Sequence, residues 1–585
     1  MKVLSSMCVG ACVWCVCVCV CVCVWCVCYL PATVVNTTLR LQALRAAMIP
    51  REVLAYIIPA ADAHLVGLAG PRDARIAFMT GFHTGSAGTV VVTAMKAVLW
   101  TDSRYWVQAD RQMDCNWKLE RDLCVCVCIC VWGCVHPCVC LCVFTGRTWQ
   151  MKVDAIRMEM MANPYKPTAL LLSALDETAW LFNLRGNDIP HNPFFYSYTL
   201  LTMEEIWQAD LRDLQAYLNS SCVQSMCVQL REYDAVRLDL AAYVLLPGVK
   251  VWVGTEYTNY ALYEVISDKL VTSSYSPVLT SKAVKDEMEQ RILRNAHVRD
   301  AVAVIQLLMW LETAVPRGKE TELSAAHYVN ECRSKQKDSR GPSFETISAS
   351  GPNAALAHYS PTNETDRKLT VDEMYLIDSG GQYLDGTTDI TRTVHWGTPT
   401  AMQREAFTRV LMGNIEISRT IFPSRTKGVN MEMLARRALW EVGLNYGHGT
   451  GHGIGNYFGV HEWPVGFGSN NVPFTEGMFT SIEPGYYKDD DFGIRIEDVA
   501  VTVPARTKYN DQTYLTFDTV SLVPYDRKLI DTTLLSEEQV LYVAISFHKQ
   551  IVHIIVLFSR LLLLFLLDIC LLYKVYIVSQ LTVNI

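Results

Sequence analysis

The chain has 585 residues, enough for several domains, and 51% of them are hydrophobic. Lysine and arginine number 51 against 59 aspartates and glutamates, and the resulting net charge of −8 gives no basis for a nucleic-acid partner. Of the 22 cysteines, 17 lie in two tracts, 8–28 and 124–143; without them Cys115, Cys222, Cys227, Cys332 and Cys570 do not describe a cysteine-rich protein.

Both tracts repeat Cys-Val. A TG dinucleotide repeat read as alternating TGT and GTG codons gives that pattern, so both are expected to be translated repeat DNA. The rival readings are a signal-like apolar segment for the first and a metal-binding or disulfide region for the second. An α/β unit is expected up to Leu123, a second over 144–277, and a third, larger unit over 278–534. The third opens on a long helix, in which Ile292, Val298, Ile305 and Leu308 keep helical spacing before Pro316 ends it. Phe407, Val410, Leu411 and Ile415 mark another helix on the same rule. Their simplest role is core packing, and helices of this kind backing antiparallel strands give an α+β architecture.

Four short segments of the third unit carry metal-ligand chemistry: YLIDSGGQYLDGTTDITRT (375–393), GHGTGHGIG (447–455), SIEPGYY (481–487) and GIRIEDVA (493–500). In the first, an apolar run feeds Asp378 and a Gly-rich turn precedes Ile390, which predicts a hairpin with Asp378 near the end of one strand and Asp389 opening the next. By itself this is more simply a solvated Asp-Gly turn, as Asp385-Gly386 is expected to be. In the second, glycines alternate with His448, Thr450 and His452; glycine lets backbone and substrate approach a metal, and neutral imidazole is a good ligand. A glycine-rich surface loop is the plainer alternative, which two histidines within it disfavour. His461, in VHEWP, reads equally as an ordinary satisfied histidine. Glu483 ends the apolar run Met478 to Ile482. In the last segment Ile494 and Ile496 alternate with Arg495 and Glu497, so a strand is expected to bury the isoleucines and offer Arg495 and Glu497 on its other face. Taken together, Asp378, Asp389, His452, Glu483 and Glu497 supply four carboxylates and one imidazole, which can hold two divalent cations side by side for peptide hydrolysis. Oxygen and nitrogen donors without thiolate predict manganese or zinc.

After this unit, residues 535–585 form an apolar tail in which Arg560, Asp568 and Lys574 break the run Ile551 to Val578. Such charges suit a spanning helix poorly. The tail is expected to be a further read-through product, with a membrane anchor as the alternative.

These segments resemble the Xaa-Pro aminopeptidases (aminopeptidase P) of the creatinase/prolidase, or pita-bread, superfamily. HGTGHGIGNYFGVHEWP is similar to the family's histidine signature and DSGGQYLDGTTDITRT to its double-aspartate strand pair. ALDETAWLFNLRGNDIPHNPFFYSY (174–198) resembles the hallmark of the preceding domain, and YLPATVVNTT, TDSRYW, MDCNW and YLNSSC are closest to the membrane-anchored form. The resemblance covers 29–123 and 145 to about 535. It implies an α+β pita-bread metallopeptidase domain (278–534) preceded by two creatinase-like α/β domains, 29–123 and 144–277. The first of these is truncated, because the Cys-Val insertion 124–143 replaces its latter half, while the tract in 1–28 stands in place of a signal peptide. A half domain is expected to close its sheet edges and core poorly. An extra residue, His83 in TGFHTGSAG, also interrupts a family motif.

The resemblance assigns Asp378, Asp389, His452, Glu483 and Glu497 as ligands to two divalent ions. It makes Glu483 the general base, His358 (in LAHYSP) and His461 the substrate-handling and proton-shuttling histidines, and His448 a further active-site histidine. It implies hydrolysis of the bond before a proline at position two of a peptide, with a homo-oligomer, a dimer, as the assembly. A prolidase-like dipeptidase, an inactive misfolded product and a non-enzymatic binding protein are the alternatives. Secretory or cell-surface placement is implied as well. Sequons at Asn36, Asn219 and Asn363 and the Cys222/Cys227 pair are compatible with it.

Overall fold

A computed structural model of the chain describes residues 35–550 except 52, 61–73, 84–87, 121–137, 140–144, 210–217, 219–225, 256, 274, 469–471 and 510–511. The expectations for the first Cys-Val tract, for nearly all of the second and for the tail after 550 lie outside the described residues. Within the second tract, the backbone of Cys138–Val139 pairs antiparallel with Leu184–Arg185. Cys227 is disulfide-bonded; Cys222, with which the sequence pairs it, is outside the described residues.

The first unit builds a four-stranded sheet in the order Ala55–Pro59, Thr89–Thr93, Ala97–Trp100 and Lys118–Glu120. Alternation in TVVVT sends Val90 and Val92 inward, where they meet Leu41, Ile58, Ile76, Phe82, Leu99 and Tyr105 in a closed apolar cluster. The first unit therefore has a core of its own. Its weak point is the edge strand Ala55–Pro59, on which Tyr56 and Ile57 are exposed.

The second unit is a six-stranded mixed sheet, ordered Val228–Arg231, Ile206–Ala209, Thr199–Thr202, Ala169–Leu172, Val251–Gly254 and Leu270–Ser273. Ala169–Leu172 and Val251–Gly254 are buried on both faces, as continuous apolar strands between helical layers must be.

The third unit begins at the long helix Glu287–Ala314, whose start is fixed by a reciprocal cap between Asp286 and Glu289. The apolar spacing locates this helix but misplaces its inner face. Leu293, Val304, Leu307 and Leu311 are its buried stripe, while Ile292, Val298, Ile305 and Leu308 flank it half-buried. The reason is that the inner face also carries polar His297 and Asp300, which a hydrophobic pattern counts as outside. Asp300 is held there by the Arg333 guanidinium (2.7 and 3.2 Å) and the Tyr383 hydroxyl (2.9 Å). The second anticipated helix, Ala401–Ser418, buries Phe407, Val410, Leu411 and Ile415 as its spacing requires. Two antiparallel sheets lie over these helices. One is ordered Ile347–Ser350, Tyr375–Ser379, Ile390–Val394, and the other runs from Phe422–Pro423 through Asp498–Ala505 and Phe479–Ile482 to Glu462–Gly466. Residues 537–550 are helical and pack Val543 and Phe547 on the same core. Among the described residues no helix is long and apolar enough to cross a membrane.

A buried ionic network joins the second unit to the third. Lys282 Nζ lies 3.0 Å from Asp176 and 3.4 Å from Glu462, and Lys285 pairs with the same Glu462. Glu177 accepts a hydrogen bond from the Ser276 hydroxyl at 2.6 Å. Two ammonium groups thus face three carboxyls in an interface that buries all but Asp176 fully, and a proton on Glu177 balances them. Burial first, then the Asp176 charge, pushes the Glu177 carboxyl from 4.5 up to about 8. Its folded form therefore holds a proton that the unfolded chain gives up, so stability contributed by this group falls as pH rises between those values. Thermal unfolding should show Glu177→Gln matching the parent near pH 4.5 and gaining on it steadily toward pH 8. A melting difference that does not change with pH would exclude a proton on Glu177.

Candidate metal centre

The hairpin register decides the first two carboxylates. Asp378 pairs with Thr391 and Ser379 with Ile390, so Asp389, one residue before the second strand, falls one step beyond that last pair, diagonally across the hairpin from Asp378. Both are buried. The tight link at Asp385-Gly386 is a turn, but not a solvated one: Asp385 is buried and ion-paired to Arg299 on the long helix.

Glu483 follows the strand Phe479–Ile482, and Glu497 sits between the strands Phe492–Arg495 and Asp498–Ala505. The expectation of one strand with an outward Arg/Glu face is only half right. The isoleucines are buried, yet Arg495 and Glu497 are buried too, because their face looks onto the first sheet and not onto solvent. Thr391 Oγ1 donates to Glu497 Oε2 at 2.8 Å, and the Glu497 amide donates to the Thr391 carbonyl at 3.2 Å. These bonds lock the two sheets together at the site.

His452 enters from the glycine-rich segment. A Cβ on Gly451 would run into the Ser481 carbonyl, and one on Gly453 into the Glu462 carbonyl. The missing side chains let this strand lie between its neighbours, with His452 opposite Gly466 and Gly453 opposite Thr480. His452 Nδ1 is 2.9 Å from the Gly453 carbonyl, which only accepts, so Nδ1 donates there and Nε2 is the nitrogen turned into the cluster. That Nε2 lies 3.4 Å from both Asp389 Oδ2 and Glu483 Oε1. Ligand atoms of Asp389, His452 and Glu497 lie within 4.8 Å of one another. An imidazole pinned by a carbonyl on one nitrogen, with the other nitrogen turned toward carboxylates, is the arrangement of a metal-bound histidine.

The electrostatics agree. Burial, then repulsion from Asp378 and Glu483, holds the Asp389 carboxyl well above its ordinary value. Burial followed by Asp389, Glu483 and Asp378 does the same to Glu497, and burial raises Glu483 although His452 and Arg495 oppose it. Asp378 Oδ2 accepts from Arg495 Nη2 at 2.6 Å, while its Oδ1 is buried without a hydrogen-bond partner. An orphaned carboxylate oxygen beside three carboxyls of raised proton affinity fits divalent cations and little else. Neither free cysteine among the described residues, Cys115 or Cys332, is one of these donors.

The three other expected histidines surround this group. The His461 ring centroid is 4.2 Å from that of His452. His461 is open to solvent on one side, yet enclosure in the cleft, then His452, His358 and Arg104, keeps its imidazole neutral. His358 is likewise held well below its usual value by burial, then Arg104 and Arg495. Its Nδ1 is 2.8 Å from the Tyr105 hydroxyl, in the first unit. His448 donates from Nδ1 to the Gly449 carbonyl (2.8 Å) and accepts at Nε2 from the Tyr487 hydroxyl (2.9 Å). Burial, then the Arg495 charge, pushes it down to about 3. Tyr487 in turn accepts from Arg495 Nη1 at 2.5 Å, so His448, Tyr487, Arg495 and Asp378 form one chain of hydrogen bonds.

The site holds more than the sequence suggested. Arg495 looked like half of a surface pair, and Tyr487, Ser481 and Thr391 carried no signal of their own. Arg104 and Tyr105 lie in TDSRYW, remote in sequence from every ligand, and only the fold brings them here.

Comparison with known proteins gives a consistent account. Residues 291–503 match the model for metallopeptidase family M24, and 513–556 match the C-terminal region of peptidase M24. Residues 40–125 and 139–289 match two creatinase/prolidase N-terminal domain models. The chain is 54% identical to Xaa-Pro aminopeptidase 2 of Homo sapiens over 88% of this chain and 85% of that one. It is 37% identical to Xaa-Pro aminopeptidase ApepP of Drosophila melanogaster, over 88% and 95%. The crystal structure of X-prolyl aminopeptidase from Caenorhabditis elegans, described as a cytosolic enzyme with a di-nuclear active site, superposes with a TM-score of 0.84. It covers 90% of this chain and 97% of that one at 30% identity.

Removing a carboxylate from the cluster should reduce bound metal without unfolding the chain. Elemental analysis of the purified protein after dialysis against manganese or zinc should show less metal in Asp389→Ala and Glu497→Ala than in the parent. Stoichiometry unchanged in both would sink the ligand assignment.

Proposed function

The chain belongs to the Xaa-Pro aminopeptidases, metallopeptidases of family M24, and we propose that its cleft uses Asp378, Asp389, His452, Glu483 and Glu497 to hold two divalent cations. Manganese or zinc suits this all-oxygen-and-nitrogen set. The observation that carries the assignment is His452 Nε2, turned into the carboxylate cluster and 3.4 Å from Asp389 and from Glu483. Its substrates are peptides with proline in second position, from which it releases the first residue.

Bound cations of this kind polarise a carbonyl and lower the pKa of water toward ~7. The remaining work falls to side chains. Glu483, oriented by the Ser481 hydroxyl at 3.0 Å and raised in proton affinity by burial, takes the proton of the attacking water. Proline nitrogen in a peptide bears no hydrogen and must gain one to leave as an amine. The neutral imidazoles of His358 and His461 each bring one N–H hydrogen-bond donor to the cleft for the oxyanion that forms on the scissile carbonyl, and the proton that Glu483 took from the water is the one passed on to the departing nitrogen. His448 is tied into the hydrogen-bond chain that ends on Asp378. Through Tyr487 and Arg495 it steadies Asp378.

The exposed sequons at Asn36 and Asn363 support the secretory route in this reading, and a dimer is the assembly proposed with it. Expression in a secreting cell, with glycan analysis and sedimentation, tests both.

His461 separates binding from turnover. His461→Ala should keep the parent's metal content and melting temperature while kcat on an Ala-Pro-Ala tripeptide falls on the order of 10²-fold. Loss of metal from a folded variant would mean that His461 is a ligand.

A further inference from the structure

The first unit reaches into the cleft through one turn, Thr101 to Trp106. The turn is internally braced: Arg104 is clamped by Asp102 (2.9 and 2.7 Å), the Tyr105 amide donates to the Asp102 carbonyl (3.1 Å), and the Trp106 indole donates to the Thr101 carbonyl (2.9 Å). It is also fastened to the third unit at two points. The Ser103 hydroxyl donates to the Gly447 carbonyl beside His448. Arg111, on the helix that follows, pairs with Asp489 (2.8 Å) and Asp490 (2.6 Å) at the end of the hairpin bearing Tyr487 and Arg495.

Between these fastenings stands Tyr105, only 1% exposed. Its ring packs edge-on against Phe82 and against His358, with centroids 6.1 and 5.0 Å away. Its hydroxyl lies 2.8 Å from His358 Nδ1. The His358 backbone is held from the opposite direction. Neighbouring Tyr359 donates to the buried Glu322 carboxylate at 2.7 Å, and Glu322 also accepts from the Ser350 and Arg367 amides at 2.6 and 3.0 Å. That anchorage fixes the loop but leaves the imidazole free to turn about its side-chain bonds. Among the described contacts only Tyr105 grips the ring nitrogen.

We propose that Tyr105 is a positioning residue for His358, its O–H donating to Nδ1 so that the ring carries its single proton on Nε2. The inference rests on the proposed role of His358. It makes the first unit part of the catalytic apparatus, contributing one hydroxyl that the third unit cannot supply. Phenylalanine keeps the ring contacts and deletes only that hydroxyl, so Tyr105→Phe should fold.

The experiment uses the full chain, an Ala-Pro-Ala tripeptide and the variants Tyr105→Phe, His358→Ala and the double variant. Tyr105→Phe should retain metal content and melting temperature, lower kcat about tenfold and leave KM within about twofold. In the His358→Ala background it should change kcat by less than about twofold, because the group it acts through is gone. In histidine-15N spectra of the metal-free protein, Tyr105→Phe should move the His358 Nδ1 resonance, whereas Tyr260→Phe, at a remote exposed ring, should not. An unchanged kcat in Tyr105→Phe, an equal loss in both backgrounds, or an unmoved resonance would each overturn the proposal. Full activity in His358→Ala would instead overturn the role of His358, and the resonance would still report whether Tyr105 holds its ring.

Discussion

Like-charge crowding is the constraint on which the third unit is built. Asp378, Asp389, Glu483 and Glu497 meet around one imidazole in a cleft where burial already penalises each negative charge. Among the described residues Arg495 is the one side-chain cation hydrogen-bonded to a member of this set, through Asp378. Without further positive charge the group lowers its energy by holding protons, which is what the raised values of three of its members express. Cation binding and proton release are therefore two sides of one equilibrium, and metal affinity must weaken as the medium becomes acidic.

Holding repelling groups together requires a scaffold stiffer than the repulsion is strong. The sheets supply it by register and by buried crosslinks outside the cluster. Arg392 reaches from the first sheet to the Glu497 carbonyl (2.6 Å), the Asp498 carboxylate (2.7 Å) and the Val523 carbonyl (2.6 and 3.1 Å). Tyr525 completes that pair by donating to Asp498 at 2.6 Å. A buried ion pair contributes little net stability by itself, but breaking one costs several kcal/mol, so it resists displacement well. Here it fixes the residue next to a ligand.

That Asp378, Asp389, His452, Glu483 and Glu497 belong to one region was legible because carboxylates and imidazoles recur in short segments flanked by apolar runs or glycines. Helix existence was legible for the same kind of reason, through spacing. What failed were inferences from amphipathicity. The long helix buries Asp300 and His297 with its leucines, and the Glu497 segment buries Arg495, since in both cases a charged group has its partner inside the protein. Periodicity assigns every charge to water and cannot see a partner that is distant in sequence. Tyr105 is the extreme case, 253 residues from the histidine it touches.

The same blindness applies to domain boundaries. Read as modules, the upstream units are accessories to a complete catalytic domain. Read as contacts, they reach the very segments that carry the working histidines. Arg185 of the second unit donates to the Asn456 and Tyr457 carbonyls at 3.1 and 2.5 Å and stacks over Phe458, in the loop that separates His452 from His461. The first unit grips His358 and the backbone at Gly447. The segments that carry His358, His448 and His461 thus each touch a second unit as well as the third. A peptide hydrolase that must distinguish a chain end from a chain interior needs such segments to be fixed relative to the metal ligands. All three units are thus in contact at the cleft, the first through Tyr105 on His358 and Ser103 on the Gly447 carbonyl, the second through Arg185 on the Asn456 and Tyr457 carbonyls.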